Sequence, residues 1–195
     1  SLAILMHGLA YAQETHIVKP DGTGDFPSIQ AAIDAAVDGD IIILANGTFR
    51  GEGNRDINFG GKAITVRARS GNPKNCVIDA EGTPAEPHRG FLFNSEEGPG
   101  SILEGVTITG GYAPIALTVP AGGAINITGD SDPLYWTSPT IRKCRFVDNR
   151  SPFASGAVNC FFSNATIADC FFVGNIAEGY GAGADDFVSK PFHAR

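Results

Sequence analysis

A repeat of 26 residues constrains the fold of this chain more than any other feature. Residues 140–149 align with residues 166–175, and six of the ten positions are identical. A period of this length is typical of solenoids, in which each unit is one coil that buries its apolar face only by stacking on its neighbours. The repeat therefore predicts that any function is carried by a surface of stacked coils.

Apolar residues with one common spacing predict the side chains that point into the coils. They form the inner stack Leu103, Val106, Ile108, Ile141, Cys144, Phe146, Ile167, Cys170 and Phe172. Cys144 and Cys170 share a repeat position, so stacked strands would place them about 4.8 Å apart with parallel Cβ vectors. That geometry disfavours a disulfide and predicts buried free thiols.

The alignment also predicts neighbours on the outside and at the turns. Glu104 is expected beside Arg142, and Lys143 beside Asp169, because opposite charges favour this register. Asn149 is expected directly above Asn175, its equivalent in the second copy, as part of a ladder of side-chain amides at the turn.

A second ladder is predicted from glycine-led segments between the copies of the repeat. Residues 123–127 match residues 156–160, and residues 181–184 begin a third copy. Glycine recurring at these positions indicates tight corners where a Cβ does not fit.

One helix is predicted, near the start of the chain. In residues 28–37, Ile29, Ile33 and Val37 recur at i, i+4 and i+8, and Gly39 follows at the end. An apolar stripe on an alanine-rich helix is expected to cover the open end of the first coil.

Composition excludes some partners. Lys and Arg number 14 against 21 Asp and Glu, which gives a net charge of −7 and argues against a nucleic-acid surface. An acidic surface also repels a polyanion such as pectin, unless a cation or a local basic patch intervenes.

The first 12 residues are apolar and uncharged, and they end in Ala-Tyr-Ala. This pattern is typical of the apolar region and cleavage site of a secretory signal. We therefore expect a secreted protein or one at the outer cell surface, and no other segment is apolar enough to cross a membrane.

Two sets of motifs resemble known families. Phe-x-x-Asn at 146–149 and 172–175, alternating with Gly-Gly-Ala-Ile at 122–125, resembles the polymorphic outer-membrane-protein repeat of bacterial surface proteins. Residues 21–26 and 29–36 resemble the opening of pectin-esterase and pectate-lyase-like proteins. Both resemblances imply an all-β fold, a right-handed single-stranded parallel β-helix with an N-terminal capping α-helix.

The predicted organisation has four parts. They are a signal-peptide remnant at 1–12, a first strand and capping helix at 13–40, β-helix coils at 41–184 and an irregular tail at 185–195. Because the repeat pattern ends without a further complete copy, we expect the β-helix to be truncated at the C-terminus.

The longest insertion, residues 129–138, contains two candidate sites. Tyr135 and Trp136 are interpreted as a platform for a sugar ring or, alternatively, as local cover over the coils. Asp130 and Asp132 are candidate calcium ligands, because calcium prefers oxygen donors, but they also fit solvated turn residues.

A third candidate site is the basic cluster Arg142, Lys143 and Arg145. It is expected to meet an acidic polysaccharide or a cell-surface glycan, unless Glu104 and Asp169 offset its charge. No arrangement of catalytic carboxylates, arginine and glutamine like that of the pectin esterases is found.

Two functions follow as hypotheses. The first is an exported, non-catalytic bacterial β-helix domain of a surface or secreted protein that offers a face for adhesion or glycan binding. The alternative is the N-terminal part of a polysaccharide-active enzyme, resembling a pectate lyase, a pectin esterase or a glycoside hydrolase.

Overall fold

A computed structural model describes residues 12–113, 122–179 and 184–187 of the 195-residue chain, the last of these as backbone only. The predicted signal segment, except Ala12, lies outside the described residues, as do residues 188–195 of the predicted tail. Within the described ranges, the chain contains no helix long and apolar enough to span a membrane.

The elements are short, and all but one of the regular ones are strands. In chain order they are β1 (Thr15–Val18), α1 (Ile29–Ala35), β2 (Ile41–Leu44), β3 (Gly47–Phe49), β4 (Ile57–Asn58), β5 (Thr65–Ala68), β6 (Cys76–Asp79), β7 (Phe91–Phe93), β8 (Ile102–Glu104), β9 (Thr107–Thr109), β10 (Ile125–Thr128), β11 (Thr140–Arg142), β12 (Arg145–Val147), β13 (Arg150–Ser151), β14 (Val158–Phe161), β15 (Thr166–Ala168), β16 (Phe171–Val173), β17 (Ile176–Ala177) and β18 (Ala184–Phe187). Two 3-10 turns, Pro73–Asn75 and Pro133–Tyr135, lie in the loops.

The strands form three main sheets, and the chain visits them in turn. Sheet A is β1-β2-β5-β8-β11-β15, sheet B is β3-β6-β9-β12-β16 and sheet C is β4-β7-β10-β14-β18, with β13-β17 as a small fourth sheet. All of these strand pairs are parallel. Because each complete coil contributes one strand to each main sheet, the fold is a parallel β-helix, as predicted.

The predicted inner stack is confirmed by the strand register. In sheet A, Ile141 lies opposite both Leu103 and Ile167, and all three are buried. In sheet B, Phe146 lies opposite Phe172, with ring centroids 5.0 Å apart and planes 23° apart. Stacking of like side chains gives the tube a continuous apolar core.

None of the four cysteines forms a disulfide, which agrees with the thiols predicted at Cys144 and Cys170. Cys76 and Cys144 are fully buried, and burial raises the pKa of the Cys76 thiol to about 12. Thiols in such surroundings act as small apolar side chains rather than as nucleophiles.

The asparagine ladder is also confirmed. The Asn149 amide nitrogen donates to the carbonyl oxygen of Ile108 and to Oδ1 of Asn175, each at 3.0 Å. Asn149 Oδ1 accepts the backbone N–H of Gly111 at 2.9 Å, and Asn175 donates to the carbonyl of Phe146 at 2.9 Å. Asn149 is fully buried, so this side chain satisfies backbone groups that the corner would otherwise leave unpaired.

The second ladder has the predicted register where it can be followed. Ile125 pairs with Val158, and Asn126 pairs with Asn159. Ala184 pairs with Val158, and β18 continues to Phe187. The predicted end of the coils at 184 is therefore three residues too early, because parallel pairing with β14 holds residues 185–187 in the sheet.

The helix is shorter than predicted. It begins after Ser28, whose hydroxyl caps the backbone N–H of Ala31 at 3.3 Å. Ile29 and Ile33 are buried against the first coil, whereas Val37 lies beyond the helix and is 45% exposed. The backbone N–H of Val37 donates to an Asp40 carboxylate at 2.9 Å, which replaces a helical hydrogen bond there.

We expect Asn149→Ala to lower the free energy of unfolding by about 2–4 kcal/mol, because it removes the side-chain partner of two backbone groups, the Ile108 carbonyl and the Gly111 N–H. The exposed Asn164, two residues before the second copy of the repeat, provides the control, and Asn164→Ala is expected to change stability by less than about 0.5 kcal/mol. Urea denaturation followed by circular dichroism measures both. Equal effects of the two substitutions would contradict the structural role of the ladder.

Candidate functional site

The corner between sheets A and B carries the basic cluster that the sequence singles out. The chain turns from one sheet to the other at a residue with left-handed backbone, which is Gly105, Lys143 or Asp169 in three successive coils, with φ of 71°, 54° and 54°. Glycine adopts this conformation without strain, and other residues do so at some cost. The turn directs the residues before and after it to different sheets.

Arg142 and Lys143 lie on the sheet A side and share one carboxylate. Arg142 Nη2 lies 2.8 Å from Glu104 Oε2, and Lys143 Nζ lies 2.9 Å from Glu104 Oε1. The predicted position of Glu104 beside Arg142 is confirmed. Lys143 follows β11 at the position equivalent to that of Asp169 after β15, as predicted, but its ion pair is with Glu104. Each oxygen of Glu104 takes one cation, and the left-handed turn brings Lys143 to the second oxygen.

The electrostatics of Glu104 agree with this arrangement. Burial raises the pKa of its carboxyl, but the hydrogen bonds and charges of Lys143 and Arg142 outweigh that effect and hold the pKa below its ordinary value. Glu104 is therefore ionised at neutral pH and partly cancels the positive charge of its two partners.

Arg145 is separated from the other two basic residues. It begins β12 in sheet B, and its guanidinium makes no ion pair or hydrogen bond with another residue in the described part of the chain. It lies instead in an open groove of about 400 Å³. The predicted three-residue cluster is thus divided between two faces of the β-helix.

This groove, which we call the basic groove, is lined by Asn72, Pro73, Lys74, Arg145, Phe171 and Val173. Arg145 and β16 form its floor. Phe171 is 64% exposed and Val173 is 51% exposed, which is unusual for apolar side chains on a strand. Lys74, like Arg145, makes no ion pair within the described residues.

A 3-10 turn forms the wall of the basic groove. Asn72 caps it by accepting the Lys74 backbone N–H at 3.1 Å, and Pro73 fixes its first residue. The Thr107 hydroxyl donates to the Pro73 carbonyl at 2.8 Å, which ties the turn to β9. Two hydrogen bonds therefore hold the wall in place, one within the turn and one from the turn to β9.

Lys74, Phe171 and Val173 were missed at the sequence level. Lys74 is 71 positions before Arg145, and only the coil register brings them together. The signal for Phe171 and Val173 was present, since they flank the inward-facing Phe172 and must point outward on a strand.

The loop at 129–138 does not form a two-ring platform. Tyr135 is 48% exposed and lines a smaller groove of about 230 Å³ with Asn94, Glu96, Thr128 and other residues of the loop. Trp136 is half-buried, and its indole N–H is buried without a partner. The alternative interpretation as local cover fits Trp136, and the platform interpretation fits Tyr135 alone.

The two candidate calcium ligands both cap backbone groups. Asp130 accepts the backbone N–H of Asp132 at 3.0 Å, and Asp132 accepts that of Leu134 at 3.0 Å. The backbone hydrogen bond from Asp132 helps to hold the pKa of Asp130 below its ordinary value. Among the described residues no three metal-binding side chains cluster, so calcium binding by this pair stays a prediction.

The architecture defines this protein as a parallel β-helix solenoid with open grooves at its corners. Comparison of the chain with family models, curated proteins and solved structures finds no match. Its function must therefore be inferred from the chemistry of the grooves.

Proposed function

We propose that this chain is an exported bacterial β-helix domain that binds an acidic glycan in the basic groove. The observation that carries the proposal is that two cations without carboxylate partners among the described residues, Lys74 and Arg145, line one groove with the exposed ring of Phe171. A ligand with an apolar face and carboxylate groups complements this combination.

A uronic acid polymer has both features. The C–H face of a sugar ring packs on an aromatic side chain, and such contacts contribute about 1 kcal/mol beyond the area they bury. A guanidinium forms paired hydrogen bonds with a carboxylate, and an ammonium pairs with it as a point charge. Arg145, which lies opposite Phe171 in the register, and Lys74 on the wall of the groove would supply these contacts.

The overall charge of the chain supports the basic groove as the place of contact. A net charge of −7 repels a polyanion from most of the surface, so an acidic glycan needs a local region of positive charge. Four of the eight described arginines form an ion pair with a carboxylate, as Arg50 does with Asp79 at 2.9 Å and Arg150 with Glu178 at 2.6 Å. The free charges of Lys74 and Arg145 are available to a ligand.

Export and surface location rest on the sequence. The apolar first 12 residues support a secretory route, and the Phe-x-x-Asn repeats resemble those of bacterial surface proteins. Together with the basic groove, they support a role in adhesion to glycans or in glycan capture.

We expect Arg145→Ala and Lys74→Ala each to weaken binding of a galacturonate hexamer about tenfold, which corresponds to ~1.4 kcal/mol. Arg50→Ala is the matched control, since Arg50 is already paired with Asp79, and should leave the affinity within about twofold. Isothermal titration calorimetry at low salt measures the affinities. Equal binding of a neutral maltohexaose, or unchanged affinity in both groove variants, would refute the proposal.

We also expect a gain of affinity from Glu104→Gln. This change removes the carboxylate that neutralises Arg142 and Lys143, and the freed charges lie within a Debye length of the groove. Affinity for the same hexamer should rise roughly threefold at low salt, and the gain should vanish at 1 M salt. Glu178→Gln, which frees Arg150 at another corner, should produce a smaller gain, and an equal gain would show that only net charge matters.

A further inference from the structure

A different groove lies beside a corner between sheets B and C, where a histidine is held by an aspartate. The groove has a volume of about 380 Å³ and is lined by Glu52, Gly53, Arg55, Asp56 and His88. Its size falls within the range of small-molecule sites. It shares no residue with the basic groove.

The His88–Asp56 contact fixes the protonation pattern of the imidazole. Nδ1 of His88 lies 2.6 Å from Oδ2 of Asp56. An ionised carboxylate can only accept a hydrogen bond, so a neutral His88 carries its proton on Nδ1 and has a lone pair on Nε2. Nε2 makes no hydrogen bond with another described residue, and the His88 side chain is 25% exposed.

Asp56 is itself fixed by the next coil. Its Oδ1 accepts the backbone N–H of Arg89 at 3.0 Å, and its own backbone N–H donates to the Arg89 carbonyl at 2.7 Å. These bonds hold Asp56 in the left-handed region, with φ of 51°. A non-glycine residue keeps such a backbone only where its surroundings impose it, and such positions are frequent at functional sites.

Two arginines add positive charge to this corner. Arg89 is nine-tenths buried and makes no ion pair within the described residues; burial lowers the pKa of its guanidinium, and the charge of Asp56 opposes that shift. Arg55 lines the groove and is held only loosely by Glu81, at 3.7 Å. Its guanidinium can therefore turn toward a bound ligand.

We propose that this groove hydrolyses small neutral carboxylic esters, with His88 as the general base, Asp56 as its positioning residue and Arg55 as the donor to the oxyanion. A base oriented by a carboxylate and a cation near the carbonyl oxygen are the groups that acyl transfer to water requires. The carboxylates of Glu52 and Asp56 offset the charges of Arg55 and Arg89, so the corner has no formal net charge that would attract a charged substrate.

The reaction balances without a further reactant. Nε2 of His88 takes a proton from water while the water oxygen bonds to the ester carbonyl carbon, and the carbonyl oxygen becomes an anion beside Arg55. The bond from carbon to the alkoxy oxygen then breaks, and the leaving oxygen receives the proton from Nε2. The products are a carboxylic acid and an alcohol, and His88 returns to its neutral form.

The test is hydrolysis of p-nitrophenyl acetate by the full chain, compared with free imidazole at equal concentration. We expect the protein to exceed imidazole by at least tenfold, and His88→Gln to lower kcat about a hundredfold. Asp56→Asn should lower kcat about tenfold with KM unchanged, because it alters the orientation of His88 while keeping a side chain of nearly the same size in the groove lining.

His16→Ala is the matched control. His16 also lies near a carboxylate, with Nε2 3.6 Å from Asp40, but it lies on β1, outside the groove, and its ring packs against Phe26. The substitution should leave kcat unchanged. Circular dichroism of each variant checks folding, and a variant that unfolds is replaced by its conservative partner, Asp56→Glu or His88→Asn. A wild-type rate equal to that of imidazole, or equal kcat in wild type and a folded His88 variant, would overturn the proposal.

Discussion

The structure depends on the stacking of like side chains in parallel register. Ile141 lies opposite Ile167, the ring of Phe146 lies 5.0 Å from that of Phe172, and Asn149 is hydrogen-bonded to its counterpart in the next coil. No coil could bury its apolar side chains alone, so each depends on its neighbours for its core. The buried amides then fix the corner, because they pair backbone groups of adjacent coils.

The same stacking gives the functional candidates their geometry. A strand in register places its outward side chains in rows, and a corner loop rises beside such a row to form a wall. In the basic groove the floor holds Arg145 and Phe171, and the wall is the 3-10 turn with Lys74. At the other corner, pairing of β4 with β7 brings Asp56 against His88. Rigid sheets and variable loops are a common division of roles in binding proteins.

The sequence predicted the elements that periodicity encodes, which are the inner stack, the asparagine ladder, the free thiols and the parallel β-helix. It could not predict the grooves, because coil lengths differ. Successive strands of sheet A are offset by 26, 24, 37, 38 and 26 residues, so the 26-residue repeat does not reveal that His88 meets Asp56. The alignment placed Lys143 beside Asp169 but could not predict its ion pair with Glu104, since a strand alignment ignores the left-handed turn at Lys143.

Methyl NOE spectroscopy on the isoleucine- and leucine-labelled protein tests the register most directly. In-register parallel coils predict cross-peaks from the Ile141 δ1 methyl to methyl groups of both Leu103 and Ile167. Absence of these cross-peaks, or an Hα–Hα contact between Thr140 and Ala168 as in an antiparallel pair, would contradict the stacked coil and both grooves that it supports.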